Sequence, residues 1–267
     1  MGSKEWEEWA CLTMSAALDA TVEIHDDNSQ PSMHDLEIAY PDGRLAVGEV
    51  TSNTDGASVA LWKHINSGDR WIDPNLEGGW ALSLRPEAQG TAVQRFVPII
   101  LRLLEGMGVR RVEPDDDDFA PAWSQQLFQL GVASASQHET AFAGSIYVTL
   151  EQPSERSGGV VDQTGADLSR WIGEFLAEPK LADVRSKLAR AEVDERHAFV
   201  VVPGFSTAPF GVVNLLWDGS YLPITDPVLP MEVTDVWIAT TWSVPQGVRW
   251  SSSVGWQWFD TFVDRKA

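Results

Sequence analysis

The sequence has little cysteine, little positive charge and no long apolar run. Its single cysteine, Cys11, excludes an internal disulfide and a zinc site built from several cysteines. Lys and Arg number 19 against 39 Asp and Glu, which gives a formal net charge of −20. This charge opposes general attraction to phosphate backbones and anionic lipid, so we expect no non-specific affinity for DNA.

The lack of long apolar runs bears on the expected location of the protein. No run approaches the roughly 20 apolar residues that span a bilayer. Residues 1–8 lack the basic and apolar regions of a signal peptide. We therefore expect a cytoplasmic protein with no membrane partner. With 43% hydrophobic residues over 267 positions, the chain has enough apolar side chains for a packed core.

Helical and strand patterns interleave along the first half of the chain. Apolar positions between residues 4 and 18 recur at steps of three and four, which predicts a helix. The apolar run 197–202 predicts a buried strand. Residues 151–159 combine Pro, Ser and paired Gly without an apolar residue, which is typical of a linker. We therefore predict an α/β (α+β) fold, with a core domain over residues 1–152 and a Trp-rich α+β extension over residues 160–267 packed on it.

Two β-rich runs, residues 34–40 and 45–51, flank a Pro-Asp-Gly turn and predict a β-hairpin. The hairpin places Asp35 at the start of one strand near Glu49 at the end of the other. Because side chains alternate across a sheet, these carboxylates can share one face, with Glu37 as a third acid. Such a group is a minimal oxygen-ligand site for magnesium. The competing interpretation is that acids fall at strand ends by chance and that Asp35 only caps a loop.

At these residues the chain resembles the PD-(D/E)XK restriction-endonuclease-like superfamily. The resemblance covers roughly residues 4–112. It implies a mixed sheet flanked by helices, built from a first helix, an antiparallel hairpin with the acid pair, a crossing helix and a further strand. Through its Gly-Trp dipeptide, Trp-rich strands and a Leu-Pro stretch near the end, the whole chain is also similar to a group of actinobacterial proteins, and that likeness implies no activity.

The superfamily resemblance implies roles for particular residues. Asp35 and Glu49 match the family's metal ligands, and Glu8 on the first helix matches an additional carboxylate that some members carry. The family places a lysine two residues after the second acid, where this sequence has Thr51. Lys63, on the following short helix, is the candidate for a displaced lysine.

The resemblance leaves two functions open. The first is an active magnesium-dependent nuclease that hydrolyses phosphodiesters, with Asp35 and Glu49 as ligands. The second is a catalytically silent, nuclease-like module that binds or regulates a protein partner. The expected cofactor is magnesium or none. The replacement of lysine by Thr51 and the charge of −20 favour the second function, whereas the intact acid pair supports the first.

Thirteen tryptophans are an unusual feature of the composition. Tryptophan is usually at least partly buried in a core or an interface. Few basic residues lie among these tryptophans, so the sequence does not favour a surface for stacking nucleic-acid bases. Residues 250–259 carry Trp with small polar residues between the rings, which predicts an exposed aromatic patch. Such a patch favours self-association into a homo-oligomer or contact with a protein partner.

Overall fold

The computed structural model describes residues 3–26, 33–68, 70–115, 117, 119–138, 142–151, 161–242 and 244–261. Within these residues the chain forms seven α-helices and twelve β-strands, and the strands belong to two mixed sheets of seven and five strands. The predicted α/β fold is thus confirmed. None of the helices in the described ranges has the length and apolar character that crossing a bilayer requires.

The elements follow one another along the chain in a mixed order. They are α1 (Ser3–Leu18), β1 (Thr21–Ile24), β2 (Leu36–Ala39), β3 (Leu45–Ser52), α2 (Gly56–Asn66), β4 (Trp71–Ile72), β5 (Gly79–Leu84), α3 (Gly90–Gly106), β6 (Arg111–Val112), α4 (Ala122–Gln129), β7 (Val132–His138), β8 (Ser145–Leu150), α5 (Ala166–Ala177), a short 3-10 helix (Pro179–Leu181), α6 (Ala182–Arg190), β9 (Glu195–Val202), α7 (Phe210–Asp218), β10 (Asp235–Thr240), β11 (Gln246–Ser251) and β12 (Gly255–Asp260). These elements form two compact units. The first unit comprises Met1–Thr54 and Glu155–Ala267, and the second comprises Asp55–Ser154.

The sheet of the first unit has the strand order β1-β2-β3-β9-β10-β11-β12. β1, β2 and β3 are antiparallel to their neighbours in this group, and β9 pairs in parallel with both β3 and β10. β10, β11 and β12 complete the sheet as antiparallel strands. The hairpin predicted around the Pro-Asp-Gly turn is confirmed, since β2 and β3 pair Leu36 with Gly48 and Ala39 with Leu45.

Side-chain alternation gives this sheet two buried faces. Phe199 and Trp237 lie on one face and pack with Met14 of α1. Val200 lies on the other face and packs with apolar residues of α5 and α7, including Leu176. Because β9 and β10 are covered on both faces, their sequences are almost continuously apolar. Each fully buried aliphatic side chain in such a core stabilises the fold by about 1.5–3 kcal/mol.

The second unit has its own sheet and its own core. The strand order is β4-β8-β5-β7-β6, in which β5 and β8 are parallel and the other pairs are antiparallel. Val97, Leu101 and Leu104 of α3 are fully buried together with Trp80 of β5 and Leu127 of α4. The α3 residues recur at steps of four and three, which is the spacing of one helical face.

The division into units differs from the predicted one. The predicted boundary, between residues 152 and 160, lies outside the described residues, and Glu155–Ala267 forms one unit with the first 54 residues. The parallel neighbour of β3 is β9, because β5 belongs to the sheet of the second unit. The second unit is therefore inserted in the chain between β3 and α5. The first unit is completed by α5, α6 and β9, and not by elements within residues 55–112.

The tryptophans of β11 and β12 are partly buried. Trp250 and Trp256 are paired across these strands and pack against the core of the first unit. Their indole N–H groups donate hydrogen bonds of 2.8 Å to the Asp226 carboxylate and to the Thr225 carbonyl. The rings predicted to form an exposed patch over residues 250–259 therefore take part in packing, as amphipathic Trp side chains commonly do.

Candidate active site

The hairpin brings the two predicted acids together. Asp35 directly precedes β2, and Glu49 lies on β3 one step beyond the Leu36–Gly48 pair. The backbone N–H of Asp35 donates to Glu49 Oε1 at 3.2 Å. The backbone N–H of Val50 donates to Asp35 Oδ2 at 2.7 Å. Glu49 is thus held by the backbone of Asp35, and Asp35 is held by the backbone of the residue that follows Glu49.

A lysine that was not predicted completes this arrangement. Lys187 lies on α6, which contacts β3. Its Nζ is 3.3 Å from Glu49 Oε2 and 3.5 Å from Asp35 Oδ1. The side chains of Lys187, Asp35 and Glu49 are 15%, 12% and 2% exposed, respectively. The three groups therefore form a buried charge cluster, in which one ammonium contacts two carboxylates.

The acid pair offers the ligand type of a metal site. Because one Nζ contacts both acids, the sum of its two contacts sets an upper limit on the separation of Asp35 Oδ1 and Glu49 Oε2. Two oxygens bound to one ion at Mg–O distances of about 2.1 Å are at most about 4.2 Å apart, a separation that this limit allows. Two carboxylates are hard oxygen donors, the type that magnesium and manganese prefer. The residues present therefore fit a divalent cation of this class.

Burial and mutual repulsion control the protonation of the acids. Burial, followed by the charge of Asp35, raises the pKa of Glu49 to about 8, although Lys187 acts in the opposite direction. Burial also raises the pKa of Asp35. Burial disfavours the charge of Lys187, but Glu49 and Asp35 raise its pKa overall. Near pH 7 Glu49 of the metal-free cluster is thus mostly protonated. A metal ion would displace that proton, because carboxylates bind metals in the ionised form.

A further carboxylate, Glu7 of α1, is electrostatically coupled to the site. Burial, followed by the charge of Asp35, raises the pKa of Glu7, and Lys187 lowers it. Glu7 is therefore close enough to both residues to be coupled to them. The predicted accessory acid was Glu8, which follows Glu7 and so points about 100° away around the helix. Glu7 is therefore a second candidate for the accessory position, beside Glu8.

The structure places the remaining predicted residues as follows. Thr51 lies on β3 two residues after Glu49 and is half-buried. Strand alternation puts it on the same face as Glu49. Lys63 is exposed on α2, in the second unit. Glu37 is exposed on β2, and its Oε2 is 3.3 Å from Nδ1 of His25.

Neither Lys187 nor Glu7 belongs to the predicted set. Lys187 lies 138 residues beyond Glu49 in the chain, with the whole second unit between them. A basic residue on a helix that leads into a buried strand was the available signal, and it becomes informative only once that strand is known to pair with β3. For Glu7 the signal was its position beside Glu8 on the predicted helix.

Two imidazoles lie next to the acid pair. The rings of His25 and His34 are stacked, with centroids 4.2 Å apart and planes inclined by 6°. Burial, followed by the neighbouring His25, lowers the pKa of His34. The His34 ring is therefore neutral near pH 7, in the form that accepts hydrogen bonds or binds metal ions.

No protein-family model, curated protein or solved structure matches this chain in comparisons of its sequence and fold. Functional assignment therefore rests on the geometry of the site.

Proposed function

We propose that the first unit is a metal-dependent phosphodiester hydrolase of the PD-(D/E)XK type. The observation that carries this proposal is the position of the Lys187 ammonium, 3.3 Å from Glu49 and 3.5 Å from Asp35. A cation at the acid pair is what the resemblance requires and what Thr51 does not supply. Lys187 takes this role from α6.

The topology of the first unit supports the same proposal. A helix, three antiparallel strands, further helices and a strand parallel to β3 follow one another as α1, β1–β3, α5–α6 and β9. The resemblance implies a first helix, an antiparallel hairpin, a crossing helix and a further strand, and this unit has β1 and a second helix in addition. The second unit is an insertion between β3 and the helices, and it leaves the pairing of β3 with β9 intact.

Each residue would contribute a separate function to hydrolysis. Asp35 and Glu49, with Glu7 as an accessory acid, would hold the divalent cation, which supplies Lewis-acid chemistry and lowers the pKa of a bound water. In the reaction, a water oxygen bonds to phosphorus, the P–O ester bond breaks and the leaving oxygen gains a proton. Lys187 would stabilise the negative charge that develops on the phosphoryl oxygens. The Val50 N–H fixes the Asp35 carboxylate in place through its 2.7 Å hydrogen bond.

Cleavage assays with end-labelled single-stranded DNA, duplex DNA and RNA, in Mg²⁺ or Mn²⁺, test the proposal. We expect metal-dependent cleavage by the wild-type chain and no cleavage by Asp35→Asn. Lys187→Met should lose about 10²–10³ in rate, the usual effect of removing one electrostatic contact to a transition state. Lys180→Met is the matched control, because Lys180 is a half-exposed lysine just before α6 that pairs with Glu178. It should cleave at the wild-type rate.

Two further variants separate the competing sources of positive charge. If Lys63 supplied the cation, Lys63→Met would abolish cleavage and Lys187→Met would not, and our assignment would be wrong. Thr51→Lys restores the lysine at the family's usual position. In the Lys187→Met background, we expect it to recover part of the lost rate, because both side chains serve the same face of β3.

A catalytically silent module that binds a protein partner is the second candidate. It is favoured by the way Lys187 neutralises the acids without a metal, and by the net charge of −20, which opposes nucleic-acid binding. The two candidates differ in one measurement. A folded wild-type chain that binds Mn²⁺ but cleaves none of the three substrates would favour the silent module.

A further inference from the structure

Two histidines and a glutamate form a second group of metal-ligating side chains, outside the acid pair. One ligand atom from each of His25, His34 and Glu37 lies within 4.8 Å of the other two. Within this group, His25 Nδ1 and Glu37 Oε2 are 3.3 Å apart. Among the described residues, this is the one group of three or more His, Cys, Asp or Glu side chains whose ligand atoms lie this close together.

The sheet itself fixes these residues near one another. β1 and β2 are antiparallel, with Glu23 opposite Glu37, and the backbone N–H of His25 continues this ladder by donating to the Asp35 carbonyl at 2.8 Å. His34 precedes Asp35 in the chain, and its ring stacks on that of His25. The group thus depends on strand pairing, and its backbone positions are already set.

One atom of the group lacks a partner in the metal-free protein. Nε2 of His34 is buried and has no hydrogen-bond partner among the described residues. A buried polar nitrogen without a partner destabilises the folded state, because it has lost its hydrogen bonds to water. Ligation of an ion to this histidine would give the ring a compensating interaction. The surface ion pair between His25 and Glu37 is worth little and does not by itself explain the arrangement.

We propose that His25, His34 and Glu37 bind a zinc-type transition-metal ion at a site separate from the acid pair. Two imidazoles and one carboxylate are the protein ligands of many zinc sites that keep a fourth position open. Imidazole donors select such ions over magnesium, which prefers oxygen. This inference goes beyond the proposed function and does not depend on it.

Completing the site requires the His25 ring to turn, because two parallel, stacked imidazoles cannot direct both of their in-plane lone pairs at one ion. Ligand atoms around a tetrahedral zinc ion at about 2.0–2.1 Å are about 3.3 Å apart, and those of this group all lie within 4.8 Å of one another. His25 and Glu37 are 36% and 48% exposed, so both can change rotamer without disturbing the core. The His25–Glu37 contact of 3.3 Å already has the separation of two bound ligands.

Calorimetric titration of Zn²⁺ into the EDTA-treated, dialysed full-length chain tests the site. Excess Mg²⁺ is present so that the acid pair is occupied and does not compete. We expect one Zn²⁺ per chain in the wild type. His25→Ala and Glu37→Gln should each weaken binding by at least about 10–100-fold, the loss that removal of even an outer-shell partner causes. Both side chains are exposed enough that these variants should fold, which circular dichroism checks.

Two control variants make the result specific. His138→Ala removes an exposed histidine of β7, and Glu49→Gln removes an acid of the magnesium-type site; both should keep wild-type Zn²⁺ affinity. Visible absorption of bound Co²⁺ provides a second readout and should be lost in His25→Ala. The inference is overturned if the wild type binds no Zn²⁺. It is equally overturned if His25→Ala and Glu37→Gln bind Zn²⁺ as tightly as the wild type, or if His138→Ala loses as much.

The same variants separate this inference from the proposed function. His25→Ala should bind Mn²⁺ at the acid pair normally, and Glu49→Gln should lose Mn²⁺ but keep Zn²⁺. Loss of phosphodiesterase activity without loss of Zn²⁺ binding would therefore count against the proposed function alone.

Discussion

Replacing Lys187 with methionine tests whether its ammonium compensates the two buried acids. Methionine has a similar length and keeps the apolar stem packed, so the change removes mainly the charge. Breaking a buried ion pair by removing one partner usually costs about 3–5 kcal/mol. The cost should be smaller here because Glu49, with a pKa of about 8, already holds a proton at neutral pH. Asp35 also keeps its hydrogen bond from Val50. We expect Lys187→Met to lower the free energy of unfolding by about 2–3 kcal/mol at pH 8.

The pH dependence of this cost follows from the direction of the pKa shifts. Both acids have pKa values above their usual ones, so the folded state binds protons more tightly than the unfolded state. Their ionisation therefore lowers stability as the pH rises, over a window that for Glu49 runs from its usual 4.5 to about 8. Lys187 lowers the pKa of both acids, so its loss should raise both pKa values and extend the pH range over which stability falls. The cost of Lys187→Met should thus fall to about 1 kcal/mol at pH 5, where Glu49 is largely protonated.

Urea denaturation in EDTA, followed by tryptophan fluorescence at pH 5 and pH 8, measures this difference. Lys180→Met, which removes a half-exposed ion pair with Glu178, should change stability by less than about 0.5 kcal/mol at either pH. Adding Glu49→Gln to Lys187→Met should recover about 1 kcal/mol at pH 8, since the neutral amide removes the penalty of ionisation. A cost for Lys187→Met that is equal at the two pH values, or as small as that of Lys180→Met, would refute the charge cluster and with it the role of Lys187.

Two further predictions concern groups outside the site. Burial, followed by the charges of Glu7 and Glu23, raises the pKa of Cys11 to about 11. Iodoacetamide at pH 8 should therefore alkylate the folded chain about 100-fold more slowly than the urea-unfolded chain. Equal rates of alkylation, measured by mass spectrometry, would contradict this. Burial opposes the charge of Glu105, but the hydrogen bonds it accepts, including 3.0 Å from Trp80 Nε1, lower its pKa overall. Glu105→Ala leaves this buried indole N–H unpaired and should destabilise the second unit by about 2–3 kcal/mol in thermal denaturation; a change within about 0.5 kcal/mol would show that the hydrogen bonds are replaced.

The parts of the fold that depend on local pattern were predictable from the sequence. The Pro-Asp-Gly turn and its flanking β-rich runs specify the pairing of β2 with β3, since a tight turn fixes the register. The period of the first helix and the apolar run of β9 are likewise visible in the sequence. The division into units could not be predicted in this way. No local sequence pattern shows that the segment after an inserted unit belongs to the same unit as the segment before it. A Pro/Ser/Gly segment at 151–159 looks like a linker between consecutive domains whether or not the earlier domain is complete.

The same distinction explains which parts of the candidate site could be found. Asp35 and Glu49 are brought together by one hairpin, so thirteen intervening residues and the alternation of side chains were enough to pair them. Lys187 reaches them through a different constraint. A strand that runs parallel to β3 must be reached by a crossover, and the helices of a crossover pack across the face of the strand just left. Since β9 is the parallel neighbour of β3, the helices immediately before β9 had to lie over Glu49. The lysine at the acid pair is therefore found on the helix that precedes β9, where Lys187 lies. The helix that follows β3 in sequence carries only the earlier candidate, Lys63.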